Sequence, residues 1–340
     1  MLGNIFLTAF NAVMPIVLLI LFGYFLKQKG FLNENFTKIG SKLVFKIFLP
    51  AMLFINVYEI DGMDSIAWDL MIYCLGMVFL LFVLGLVLAL LTTKDPRRRG
   101  PIWQCTLRSN FAIIGMPLAA ALGGDAAIAV AAMVVAVAVP AFNVLSVIAL
   151  SVFVPQSGGS KISFKGIVKD ILKNSLTQSV FIGLACLVVR ALQVKFFGRI
   201  LFALSDQTEF LYKVIKNLGS VCSPFALIVL GAQCEFSAVK GMFKEISAGV
   251  VGRLILAPLL CLGGAILLNH LGLLSCGPNE FPALVAVFGS PTAVSGAIMA
   301  TEMKNDDQLA TQLVMWTSVV SVVTIFAIVC VLMSLGLLAV

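Results

Sequence analysis

The stretch SNFAIIGMPLAAALGG, residues 109–124, is apolar enough to sit in lipid and the wrong composition to cross it quietly. Asn110, Gly115 and Pro117 lie inside it, and Arg108 stands immediately before it. A proline within a helix removes one backbone hydrogen bond and clashes with the preceding turn. In hydrocarbon the freed carbonyl has no water to turn to. The segment is therefore either a tolerated kink or an interruption that serves a purpose.

The surrounding chain sets the context. Of 340 residues, 61% are hydrophobic and only 11% charged, with a mean hydropathy of +1.09. Apolar stretches of membrane-spanning length recur from end to end, the pattern of an all-α polytopic membrane protein. Long polar tracts are absent, which argues against a large soluble enzyme domain, a receptor domain or a nucleic-acid-binding module. The net charge of +7 is read as loop lysine and arginine rather than as a nucleic-acid surface. The eight cysteines are scattered with no CxxC pair, so they read as buried thiols and not as a disulfide framework or metal site. The single histidine, His270, falls near a helix end, which leaves no histidine-based metal centre. No metal and no cofactor is expected. Nothing before Lys27 is basic and Ile5–Leu26 is long enough to remain as a span, so no signal peptide is read.

Ten spans are expected: Ile5–Leu26, Ile39–Tyr58, Ile66–Leu91, Ile102–Gly123, Ala126–Val154, Gln178–Leu192, Phe210–Ala232, Ile246–Leu271, Phe281–Ala300 and Leu309–Leu338. The sixth is the weakest, preceded by the amphipathic KISFKGIVKDILKNSL, read as lying on the membrane surface. VKFFGRILFAL after it is read as a second interfacial helix. Loops after odd-numbered spans carry Lys27, Lys29, Lys38, Lys94, Arg97, Arg98, Arg99, Lys161, Lys165, Lys169, Lys173, Lys240, Lys244 and Lys304. Loops after even-numbered spans carry only Arg190, Lys195 and Arg199. The positive-inside rule then places both termini outside the cytoplasm.

An internal repeat bears on the interruption. Gly115-x-Pro117 matches Gly289-x-Pro291, Pro50 matches Pro224, and Lys42 matches Lys216, each pair at an offset of 174 residues. This reads as a five-helix unit duplicated with inverted topology: residues 1–154, a short cytoplasmic loop and amphipathic segment at 155–177, and residues 178–340. In such carriers the discontinuous helices of the two repeats meet near the bilayer midplane and build the substrate site. Proline is favoured at the first position of a helix, so Pro117 and Pro291 are each expected to open a second half-helix, with Ser290 as an N-cap. Their amides and positive dipole ends suit an anion.

Four segments carry a family resemblance: FLPAMLFINV in the second span, RSNFAIIGMPLAAALGG in the fourth, PFALIVLGAQ in the seventh and GSPTAVSGAIMATEM in the ninth. Together, in this order, they resemble the auxin efflux carrier family, within the wider group that includes bile-acid–sodium symporters. The resemblance implies ten helices, a scaffold domain, and a transport domain whose fourth and ninth helices cross at prolines. It implies export of the auxin anion in plant members and malate or malonate permeation in similar bacterial proteins. It places a substrate contact at Asn110 and a pocket-lining residue at Leu49. The chain departs from the plant pattern in Gly289-Ser290-Pro291-Thr292, which offers small polar groups, and in the short loop Pro155–Gly166 between its halves. A small carboxylate is the expected substrate.

Single residues keep two readings. Arg108 lies six residues into its span, roughly 9 Å deep at 1.5 Å rise per residue. It is a carboxylate clamp or a snorkelling anchor. Lys42, Lys46 and Lys216 are an anion funnel or snorkelling anchors. Asn110 is a substrate contact or an interhelical bond, while Asn143, Gln178, Ser295 and Thr301 are read as helix–helix hydrogen bonding. None of the sixteen acidic residues falls clearly mid-span; Asp69, Asp125 and Glu302 sit at ends. Coupling through a buried carboxylate therefore lacks support, which leaves backbone carbonyls at the breaks or protons carried by the substrate. The expected function is a secondary transporter of small organic anions, mono- or dicarboxylates, working by elevator-like or rocking alternating access in the cell membrane. The alternatives are a sodium-coupled symporter of the bile-acid type and a transport-dead receptor or sensor; no catalytic constellation supports an enzyme. Beyond the substrate and the lipid bilayer, a second copy in a homodimer is the one further partner considered. Single-cysteine reporters in the Arg97–Arg99 and Gly158–Lys161 loops should label only from the cytoplasm, and labelling from outside intact cells would overturn the span count or its orientation.

Overall fold

The computed structural model describes residues 14–15, 18–59, 68–154, 175–233 and 236–338. The first half of the first predicted span, nearly all of the amphipathic stretch before the sixth, and the Gly158–Lys161 loop lie outside the described residues. Within them every regular element is helical, apart from one isolated antiparallel bridge between Ser109 and Thr292.

Helix α1 (Leu18–Gln28) is followed by α2 (Glu34–Leu43). Asn33 caps α2, its side chain accepting from the Phe36 amide at 2.8 Å. A π-helical turn, Val44–Phe48, carries α2 into α3 (Leu49–Tyr58). Then come α4 (Trp68–Thr92) and α5 (Pro96–Leu107). Asp95 caps α5 at 2.9 Å through the Arg97 amide, and Pro96 occupies the first turn, where its missing N–H is harmless. A second π-helical turn, Phe111–Gly115, leads into α6 (Met116–Ser151). The second half holds α7 (Ser175–Phe197), α8 (Leu204–Gln207) and α9 (Glu209–Gln233). It continues with α10 (Phe243–Val251), a third π-helical turn Gly252–Leu256, and α11 (Ala257–His270). Last are α12 (Glu280–Phe288), α13 (Val294–Glu302) and α14 (Asp307–Ser334). Trp68–Thr92, Glu209–Ala232, Phe243–His270 and Asp307–Ser334 are each long and apolar enough to cross a membrane. The chain is an all-α, multi-pass membrane protein.

Three expectations need correction. The break in the fourth span is not at Pro117. It falls at Arg108–Asn110, where Arg108 turns extended at the end of α5 (φ −88°, ψ 116°). Pro117 instead follows the π-turn Phe111–Gly115, and Pro50 and Pro258 stand in the same relation to the other two π-turns. In each, the residue before the proline donates to a carbonyl five positions back: Leu49 to Val44, Met116 to Phe111, Ala257 to Gly252. One widened turn accommodates the missing donor and the ring, so the helix bulges without breaking. In the ninth span the break includes Pro291, in the non-helical Ser290–Ala293, but Pro291 does not open the second half-helix, which begins three residues later at Val294. The two breaks are thus bonded across 184 positions, against the 174-residue offset of the prolines. The third correction concerns VKFFGRILFAL, whose first residues finish α7, with non-helical chain from Gly198 to Ala203 and only Leu204 entering α8.

Helix α6 spans 36 residues, about 54 Å at 1.5 Å per residue and longer than a bilayer core. Gly124 divides it with φ 61°, a conformation that L side chains avoid. The division falls just before Ala126, where the fifth span was expected to begin.

Packing sorts the helices into two groups. In one, α9 lies against α1, α2 and α3, and α7 lies against α3. In the other, α4, α5 and α6 pack together, α12 packs along α6, and α14 packs on α5, α10 and α13. Contacts of α9 with α13 and of α6 with α7 join the groups. The ends also sort. Arg98 pairs with Glu245 at 3.1 Å and Asp306 at 3.0 Å, which brings the loops after the third, seventh and ninth spans together. At another place Arg190 donates to the Tyr58 carbonyl at 2.6 Å and Lys216 pairs with Glu59, tying α7 and α9 to the end of α3.

The second π-turn lies close against α12: a Cβ added at Gly115 would sit 2.7 Å from the Ala286 carbonyl oxygen, a backbone atom. Gly115→Ala should therefore force the two apart and lower stability by about 1–3 kcal/mol. Thermal unfolding of the purified protein measures this; an unchanged midpoint would mean that the approach is not a close one.

Candidate functional site

Breaking two helices inside a membrane frees backbone groups that must find partners there. The two breaks satisfy each other. The Asn110 amide donates to the Pro291 carbonyl at 2.8 Å, and the Ala293 amide to the Arg108 carbonyl at 3.3 Å. The Thr292 hydroxyl donates to the same Arg108 carbonyl at 3.2 Å. Two interrupted helices thus cross as a minimal piece of antiparallel ladder.

The four helix ends at this crossing face different surroundings. The outgoing ends of α5 and α12 meet Arg253, on the third π-turn. The incoming ends, at Asn110–Phe111 and Ala293–Val294, border a cavity of about 50 Å³. Neither Asn110 nor Ala293 makes a side-chain cap, so these amides have no side-chain acceptor at their N-termini. Arg108, Ser109, Asn110, Asn143, Ser223 and Ser295 supply the polar wall, and Val44, Met52, Leu53, Phe111, Val139 and Phe142 most of the apolar one. The walls come from both helix groups, so the cavity lies at the seam between them.

Arg108 dominates the polar wall. Its Nη1 donates to Ser146 Oγ at 3.2 Å and its Nη2 to Ser295 Oγ at 2.9 Å. The residue is 4% exposed, which places it in the interior and not at a headgroup. Among the described residues no carboxylate pairs with it. Its Nε, Ser109 Oγ, Asn110 Nδ2 and both amide atoms of Asn143 are buried without a hydrogen-bond partner. Buried polar groups are nearly always bonded, so several orphans around one cavity mark a place for a ligand or water.

The remaining expected residues are placed as follows. Leu49 is fully buried but does not line the cavity, unlike Met52 and Leu53 one turn on. Ser290 is not an N-cap: its hydroxyl donates back to the Ala286 carbonyl at 2.6 Å. Gly289 is the C-cap of α12 and Ser290, Pro291 and Thr292 belong to the crossing segment; none of the four lines the cavity, nor does Gly115. Pro117 stands in the first turn of α6. Lys42 lines a separate cavity of about 500 Å³ together with Lys27, Glu34, Lys38, Glu302 and Asp307. Burial there pushes the Glu302 carboxyl upward, with Lys42 and then Lys46 pulling the other way. Lys216 is half-exposed and engaged by Glu59 at 2.6 Å and by the Tyr212 hydroxyl. Two important residues were not singled out from the sequence as site residues. Asn143, read there as interhelical glue, is bare at the cavity. Arg253, a charge well inside the eighth predicted span, was passed over although its position was the signal.

Comparison with known families matches residues 8–329 to the family described as Membrane transport protein, the auxin efflux carrier family. The chain belongs to this family. It is 26% identical over 322 residues to an uncharacterized transporter of Methanocaldococcus jannaschii, covering 93% of this chain and 96% of that one. It is 22% identical over 324 residues to an uncharacterized transporter of Methanothermobacter thermautotrophicus, covering 94% and 97%. The family match spans both breaks, so the crossing belongs to the part of the chain that is shared.

Replacing Asn143 by leucine removes two unpartnered groups at nearly constant volume. Asn143→Leu should leave the ligand-free protein as stable as wild type or more so, by up to about 1–3 kcal/mol. A clear drop in unfolding temperature would show that its amide is bonded after all.

Proposed function

We propose that this protein is a secondary carrier of small organic anions whose carboxylate binds at the crossing. The observation that carries the reading is Arg108, a buried cation without a carboxylate partner, placed between two uncapped helix N-termini. A guanidinium offers a carboxylate two parallel charge-assisted bonds, and the helix dipoles add positive potential from both sides. An organic cation would meet the same potential with no counter-charge. The cavity walls contain one cation and a large apolar share, which favours a single carboxylate on an apolar body over a dicarboxylate.

The carrier holds ten spans as two inverted five-helix units, with both termini outside the cytoplasm of the cell membrane. The lysines and arginines of the odd-numbered loops support that orientation. Because the cavity is walled by both helix groups, sliding or rocking the crossing group against α1, α2, α3, α7 and α9 carries the site from one side to the other. This is alternating access around a fixed binding geometry. The separate 500 Å³ cavity on the side of the odd-numbered loops sets Lys27, Lys38 and Lys42 against Glu34, Glu302 and Asp307, so it adds no net positive charge to an approach route.

Carboxylate affinity by calorimetry and uptake into proteoliposomes test this together. Arg108→Gln should weaken carboxylate binding by about 1.5–3 kcal/mol, the range for a hydrogen bond to a charged group. Arg108→Lys should recover part of the loss, because an ammonium cannot form the bidentate pair. Saturable binding of an organic cation in place of a carboxylate would sink the anion reading. Binding without uptake would instead make the protein a receptor.

A further inference from the structure

The outgoing ends of the two broken helices present carbonyl oxygens to the interior. One side chain takes them up. Arg253 Nε donates to the Ser290 carbonyl at 2.8 Å and its Nη2 to the Val287 carbonyl at 2.7 Å. Its Nη1 reaches the Thr106 and Leu107 carbonyls, each at 3.4 Å. Arg253 is fully buried, and among the described residues no carboxylate pairs with it. Its counter-charge is the backbone. A helix C-terminus carries roughly half a negative charge, so two of them converging come to about one, which a single guanidinium cancels.

Converging carbonyls at half-helix C-terminal ends are also the ligand set with which secondary carriers hold a coupling sodium ion. We propose that Arg253 is a resident cation that stands where such an ion would bind, so the crossing is held together without sodium and its movement needs none. Tethering the cation to α10–α11 through the third π-turn makes the charge part of the moving group, where an ion would come and go. A mobile sodium ion at the same oxygens would have to displace a guanidinium whose hydrogen bonds all go to these carbonyls. The inference concerns the crossing's own cohesion and stands whichever anion the carrier moves.

Its test needs no substrate, and so fails or succeeds separately from the anion reading. The unfolding temperature of the purified full-length protein is measured in sodium chloride and in choline chloride at equal ionic strength, with and without millimolar guanidinium chloride. Wild type should unfold at the same temperature in sodium and in choline. Arg253→Ala should unfold at a lower temperature and regain part of the difference, saturably, with sodium or with guanidinium, because a ligand that binds only the folded state raises its stability. Arg253→Lys keeps the charge with fewer donors; it should fall between the two and ignore sodium. Saturable stabilisation of wild type by sodium would overturn the proposal, as would an Arg253→Ala protein that folds and responds to neither cation. If Arg253→Ala does not fold, the lysine variant decides. A folded, sodium-indifferent Arg253→Lys sustains the proposal, and one that is unfolded or sodium-stabilised refutes it.

Discussion

Everything at the centre of this protein depends on giving partners to backbone groups that a membrane interior leaves bare. Two helices stop there, and each stop exposes carbonyls on one side and amides on the other. Arg253 gathers the carbonyls. The two extended segments bond to each other, Asn110 to Pro291 and Ala293 to Arg108. What stays unsatisfied is concentrated on the amide side, next to Arg108, Asn110 and Asn143. The separation of satisfied from unsatisfied groups is what leaves a polar cavity beside the crossing. It also distinguishes the two arginines at this depth: one answers the helix ends, and on the proposed reading the other receives a charge of opposite sign.

The rest of the fold protects that arrangement. α12 lies along α6, and the close approach at Gly115 and Ala286 fixes how the two halves of the crossing sit. Asp95 and Asp306 each do two jobs. They cap α5 and α14, and both face Arg98, which Glu245 also holds. The ion pairs at that end bind the start of α5, the α13–α14 turn and α10 into one group, separate from the α1, α2, α3, α7 and α9 packing.

Much of this was legible in the residues, for reasons that are physical. Hydropathy marked the membrane class, because few other constraints force such long apolar runs. Gly-x-Pro in two spans marked where the backbone departs from a regular helix, but not how. A missing donor can be accommodated by one widened turn or by a full stop, and proline alone does not say which. At Pro50, Pro117 and Pro258 the outcome was a π-turn. The true stop at Arg108–Asn110 is set by what crosses it, Pro291 and Thr292, nearly two hundred positions away. Asn110 was recognisable through its family resemblance and Arg108 through its depth. The role of Arg253 was not recognisable, since its partners are backbone carbonyls and carry no side-chain signature. Lys216 was matched to Lys42 by position, yet it faces Glu59, which has no counterpart in the repeat markers.

One feature reaches beyond binding. The cavity holds a net positive charge when empty and, on the carrier reading, close to none with a monoanion seated on Arg108. On that reading the empty group moves one more positive charge through the membrane field than the loaded group does. Moving one elementary charge through 100 mV is worth about 2.3 kcal/mol. A voltage negative inside therefore draws the empty site toward the cytoplasm, where it can be refilled. In a carrier of that kind, a single buried arginine without a carboxylate partner makes the direction of net flux sensitive to the electrical state of the cell.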